Sequence, residues 1–181
     1  MAAGLVRERA KRTAAALEAG SVPYAVIGGN AVGEWVGRVD EGAVRNTKDV
    51  DILLRRADLP AANAAMRAAG FIPDEVIGIP IFLDGPDGKP SQAVHVILAN
   101  EKVKPNDAVS APDVDDSEEA TNFRVLSLEA LVRMKLVSNR DKDRTHVRDI
   151  IGVGLIDETW PARFTSPLAE RLQGILDTPN G

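Results

Sequence analysis

Residues 44–54, VRNTKDVDILL, constrain this chain more than any other stretch. An apolar strand runs through Val50, Ile52, Leu53 and Leu54, yet it opens on two carboxylates one residue apart, Asp49 and Asp51. Side chains alternate along a strand, so Val50, Ile52 and Leu54 point one way while Asp49, Asp51 and Leu53 point the other. Two neighbouring like charges repel, and the cost is relieved only by open water or by a cation between them. The fold must therefore bury the body of this strand and leave its mouth accessible. A solvated strand end satisfies that demand, and so does a site for a hard divalent cation held by oxygen ligands.

The rest of the composition suits such a fold. A chain of 181 residues with 44% hydrophobic content can bury a real core as one domain, or as one domain with an appendage. With no cysteine there is no disulfide framework, thiol nucleophile or thiolate-bound zinc. The first twenty residues, MAAGLVRERAKRTAAALEAG, carry charge throughout and lack the apolar stretch of a signal peptide. No segment approaches a membrane span, so the expected setting is the cytoplasm, with no membrane partner. A formal net charge of -5 argues against non-specific coating of nucleic acid, while leaving room for a local basic patch.

Periodicity changes several times along the chain. Residues 3–19 read as an amphipathic helix stopped by Gly20, and Pro23 to Ile27 as a short buried strand ending at Gly28-Gly29. Asn30 to Val36 reads as a helix, so the glycine pair occupies a strand-to-helix turn. After the DVDILL strand comes an alanine-rich helix over Ala57 to Ala69, ended by Gly70. VIGIPIFLDG and QAVHVILA, joined by the turn-rich DGPDGKP, form an expected hairpin. The acidic run PDVDDSEE has the composition of a solvated loop or a contact for a basic partner. Helices are expected over Leu128 to Asn139, Asp143 to Ile151 and Pro167 to Leu176. The pattern is α+β: a core over residues 1–122 with roughly four or five strands, and a helical C-terminal section over 123–181 packed on it as one structural unit.

Three further features gather around the carboxylates. The Gly28-Gly29 turn exposes backbone N–H groups at a helix start, where a phosphate can be cradled, although many such turns carry glycine only for packing. Ser127 is a natural N-cap for a helix whose stripe of Leu128, Leu131 and Val132 also carries Lys135. A lysine aimed at a core must snorkel outward or meet an anion, and a bound phosphate would supply one. Between Arg133 and Arg148, six basic residues face only Asp141 and Asp143, which makes either a docking surface for phosphates or a solvated helix face.

Taken together, Gly28-Gly29, the run Arg45-Asn46-Thr47-Lys48-Asp49-Val50-Asp51, and the helix with Lys135 and Arg140 resemble the minimal nucleotidyltransferases of the polymerase-β-type fold. Within these the chain is most similar to the group that includes the AbiEii-type abortive-infection toxins. The resemblance spans about Tyr24 to Ile156 and implies a nucleotidyltransferase-like mixed β-sheet with flanking helices. It also implies that Gly28, Gly29 and Thr47 contact a nucleoside triphosphate, that Asp49 and Asp51 hold Mg²⁺ or Mn²⁺, and that Lys135, Arg140 and Asp143 position the nucleotide. The implied reaction moves a nucleoside monophosphate to an acceptor hydroxyl on tRNA, a protein or a small molecule, with an antitoxin as a further partner.

The sequence departs from the family where a third carboxylate is expected to help deprotonate the attacking hydroxyl. In the matching strand, AVHVIL, that place belongs to His95. Three readings stand: a histidine base, a substitute for one metal, or a site that has lost catalysis and only binds a nucleotide or a partner protein. A histidine satisfied by a carbonyl inside the sheet is the plain alternative. His146, the other histidine, is read as structural, lying beside Val147, Ile150 and Ile151.

Overall fold

The computed structural model describes residues 2–181. Among these residues the chain forms six α-helices and one seven-stranded mixed sheet. The helices are α1 (Ala2–Ala19), α2 (Gly28–Gly37), α3 (Leu59–Ala68), α4 (Leu128–Ser138), α5 (Asp141–Gly152) and α6 (Leu168–Asp177). The strands are β1 (Ala25–Ile27), β2 (Val50–Leu54), β3 (Ile72–Val76), β4 (Ile79–Leu83), β5 (Val94–Leu98), β6 (Ser117–Glu119) and β7 (Arg124–Leu126). Their order across the sheet is β3-β4-β5-β2-β1-β7-β6.

This order places β2 near the middle, antiparallel to β1 and parallel to β5. Both its faces are covered, since Val50, Ile52, Leu53 and Leu54 are all fully buried. Full burial of one such side chain contributes about 1.5–3 kcal/mol, so the strand is firmly held right up to its polar mouth. In α1, Val6, Ala10, Ala14 and Leu17 repeat at helical spacing and are buried, while α1 itself lies against α3. Their approach is close at Gly20, where an added Cβ would stand 2.6 Å from Ala65. The C-terminal section shares the sheet: β7 pairs parallel with β1, and α4 and α5 pack on α2.

Two expectations are corrected. The run VIGIPIFLDG is not one strand: it breaks at Ile77-Gly78, both at positive φ (52° and 74°), which is a two-residue turn joining β3 to β4. The expected DGPDGKP turn does join β4 to β5, which pair antiparallel. The acidic run is not wholly a loop either. Ser117–Glu119 forms the edge strand β6, and Asp113 and Asp115 bind Arg55 at 2.8 and 2.9 Å. Short edge strands escape periodicity because they bury little and repeat nothing. Among the described residues, no helix is long and apolar enough to cross a membrane.

Candidate active site

β1 ends at Ile27, and its register pairs Ile27 with Asp51. The chain must then turn directly into α2 beside that carboxylate. Gly28 permits this by adopting φ +67°, and any Cβ there would overlap Asp51 Oδ2. Gly29 is equally confined, since a Cβ would stand 2.7 Å from Thr47 Oγ1. The glycine pair is thus required by close approach of the 47–51 segment, and it leaves backbone N–H groups bare at the helix start. Asn30 completes the corner: its Nδ2 donates to the Asp49 carbonyl oxygen at 2.8 Å, and the Thr47 hydroxyl donates to the same oxygen at 3.4 Å. Asn30 went unremarked in the sequence; its only signal is its place directly after the glycines.

On the other side of β2, the parallel register sets Asp51 against His95, with Nδ1 3.8 Å from Asp51 Oδ1. His95 Nε2 lies 3.1 Å from the Pro90 carbonyl oxygen. A carbonyl only accepts, so Nε2 carries a hydrogen in this contact and Nδ1 is the ring nitrogen that faces Asp51. The carbonyl-satisfied histidine of the plain reading and an available base are therefore the same arrangement. Both side chains remain about a third open, 31% for His95 and 30% for Asp51. Burial pushes the Asp51 carboxyl above its ordinary value; His95 and Lys135 pull it back, while Asp49 pushes it further up. A cation between the two carboxylates would offset that cost.

Lys135 is buried, as its place on the apolar stripe requires, with 7% of its side chain exposed. Its anion belongs to the protein. Nζ donates to Asp143 Oδ1 at 3.1 Å, and Arg140 Nε donates to Asp143 Oδ2 at 2.7 Å. Asp143 also accepts from the Arg140 backbone N–H at 3.3 Å, capping α5 as its third residue. Burial alone would raise the Asp143 carboxyl, but the Arg140 hydrogen bond and the Lys135 charge hold it down at about 2. Burial lowers the Lys135 pKa, with Asp143 opposing.

These groups line one cleft of about 500 Å³, with Gly28, Thr47, Asp49, Asp51, Lys135 and Arg140 on its walls. His95 borders Asp51 from the neighbouring strand. His146, read from the sequence as structural, also lines the cleft. Its Cε1 comes within 3.7 Å of where a Gly29 Cβ would stand, and its Nδ1 is buried without a hydrogen-bond partner. Burial first and the Lys135 charge second push its pKa down to about 4, against Asp143 and Asp149. Among the described residues, no three His, Asp or Glu side chains converge as a metal cage. The donor set is instead a carboxylate pair with the backbone N–H groups of a helix start beside it. It fits Mg²⁺ or Mn²⁺ completing its coordination with water and phosphate oxygens.

No protein-family model matches the chain, and no curated protein sequence matches it. Solved structures do. The fold is similar to the solution structure of the antibiotic-resistance factor ANT(2'')-Ia, with a TM-score of 0.58 and 16% identity over 98% of this chain and 92% of that one. It is also similar to an antigenic nucleotidyltransferase-like protein from Paracoccidioides brasiliensis, with a TM-score of 0.51 and 20% identity over 97% of this chain and 85% of that one. At such identity the likeness is one of fold: α+β, with a nucleotidyltransferase-like mixed sheet and flanking helices.

Proposed function

We propose that the protein is a metal-dependent nucleotidyltransferase that moves a nucleoside monophosphate from a nucleoside triphosphate to an acceptor hydroxyl. The observation that carries this reading is the interlock of Gly28 with Asp51, which sets a bare helix start against a carboxylate pair inside one cleft. The nucleotidyltransferase-like fold supports it. Residues 1–122 contribute the glycine corner, the carboxylates and His95; residues 123–181 contribute Lys135, Arg140 and Asp143.

In this mechanism the N–H groups of Gly28 and Gly29 and the Thr47 hydroxyl receive phosphate oxygens. Asp49 and Asp51 hold Mg²⁺ or Mn²⁺, which when bound offsets negative charge on the phosphates. Lys135, fixed by Asp143, places its charge toward the same region, and Arg140 is held at the rim by the same carboxylate. His95 Nδ1 takes the proton of the acceptor hydroxyl, whose oxygen attacks the α-phosphorus as pyrophosphate leaves. In its finer form the protein belongs with the AbiEii-like group, works in the cytoplasm on tRNA or a protein, and is restrained by an antitoxin.

The absence of a third carboxylate among the described residues favours a second reading, an inactive module that binds a nucleotide or a partner. Thermal shift separates a nucleotide site from a module that binds only a partner, and transfer of label separates the enzyme from an inactive nucleotide-binding module. With each nucleoside triphosphate and Mn²⁺ or Mg²⁺, the enzyme gains metal-dependent stabilisation that Asp49→Asn and Asp51→Asn lose. Labelled triphosphates in a host extract then yield a labelled product that names the acceptor. No stabilisation at millimolar nucleotide, or full metal-dependent transfer by Asp51→Asn, overturns the enzyme reading.

A further inference from the structure

His146 lines the cleft and has no part in the reaction above. A buried histidine kept for structure is satisfied by hydrogen bonds inside the protein. His146 makes no hydrogen bond among the described residues. Its Nδ1 is sealed from solvent and unpartnered, whereas its Nε2 is not among the sealed unpartnered atoms and is therefore open, on a residue that lines the cleft. The nearby acids are already engaged: Asp143 by Lys135 and Arg140, and Asp149 by Arg45 at 2.7 Å. Burial, with Lys135 and Lys142 as positive neighbours, keeps the ring neutral with a single proton.

Where that proton sits follows from cost. A buried N–H without an acceptor is rarer and more costly than a buried lone pair without a donor. Nδ1 therefore keeps the lone pair and Nε2 carries the hydrogen into the cleft. The ring edge between them, Cε1, faces Gly29 and Thr47, the corner where phosphate oxygens are received.

We propose that His146 is a substrate-binding residue whose neutral Nε2–H donates a hydrogen bond to a phosphate oxygen of the bound triphosphate at the Gly29–Thr47 corner. The proposal rests on the nucleotidyltransferase reading and adds a contact to it. It gives the ring a hydrogen bond at Nε2, while Nδ1 keeps its buried lone pair.

The chain has two histidines, so ¹⁵N spectra of the imidazoles report on each without crowding. The probe is inorganic tripolyphosphate with Mg²⁺, which carries the phosphates without a base whose identity is unknown. In the free protein His146 is expected as the neutral Nε2–H form near neutral pH, and saturating tripolyphosphate should shift its Nε2 signal. His146→Phe should weaken tripolyphosphate binding about tenfold or more. His146→Gln, whose amide N–H reaches the place of Nε2, should stay within about threefold of wild type, since the hydrogen bond itself is retained. An Nδ1–H tautomer, unshifted His146 signals at saturation, or equal binding by His146→Phe overturns the proposal. If His146→Phe does not fold, the wild-type spectra decide. Should tripolyphosphate bind in a way that Asp51→Asn makes independent of Mg²⁺ while His146 stays silent, only this inference fails. If wild type binds neither tripolyphosphate nor any nucleoside triphosphate, the inference and the enzyme reading fall together.

Discussion

Lys135 and Asp143 meet at 3.1 Å inside the protein, with 7% and 1% of their side chains exposed. The pair joins α4 to α5, and because Asp143 caps α5 it also fixes Arg140. A buried pair adds little net stability when complete but costs much when halved, because the surviving charge has no water to turn to. Lys135→Met should therefore destabilise the fold by about 3 kcal/mol, somewhat less to the extent that Arg140 still holds Asp143. Adding Asp143→Leu to it should cost much less than the sum of the two single changes. Urea denaturation of the three variants measures this coupling, and strict additivity would refute it.

Asp51 sits in surroundings that disfavour its charge when no cation is present, with burial the main cause and Asp49 adding to it. Asp51→Asn should therefore melt no lower than wild type in metal-free buffer while losing all metal-dependent nucleotide stabilisation. A circular-dichroism melt with and without Mg²⁺ checks both halves. A large loss of metal-free stability would mean that the carboxylate serves the fold.

Stability should fall with acid in two stages. His146 is held at about 4 in the fold against an ordinary 6.5, so between these values the unfolded chain binds a proton that the folded one refuses. Stability declines as pH drops through that window, and His146→Gln should flatten this stage. Asp143 is held at about 2 against an ordinary 3.8. Its contribution, about 2 kcal/mol, is complete above the ordinary carboxylate value and disappears as pH falls toward the folded one. Urea midpoints across the pH range, for wild type and His146→Gln, trace both stages.

The β3–β4 turn is built on a residue ill suited to it. Ile77 is β-branched, stands at φ +52° and is 96% exposed, followed by Gly78 at φ +74°. Asn followed by Gly is the favoured pair for such a turn. Ile77→Asn should raise stability by about 1 kcal/mol and leave nucleotide binding unchanged. A lower denaturation midpoint would show that the isoleucine makes contacts worth more than the strain.

Strong local patterns were readable from the residues alone. The helices came from apolar spacing and caps, as with Ser127, which accepts from the Ala130 N–H, and the carboxylate pair came from charge standing where a buried strand should be apolar. These depend on neighbours in the chain. The unseen parts depend on partners far along it. The anion for Lys135 is Asp143, on the next helix, and a lysine on an apolar stripe carries no mark of which acid will reach it. His146 read as structural because it adjoins Val147 and Ile150, and its place beside the Gly29 corner of α2 follows only from how α5 packs there. The sequence by itself determined the main helices, the buried body of β2 and that Asp49 and Asp51 need water or a cation. Only the tertiary structure decided which side chains meet, because burial and charge pairing act through space, where Gly28 meets Asp51, Asp51 meets His95 and Gly29 meets His146.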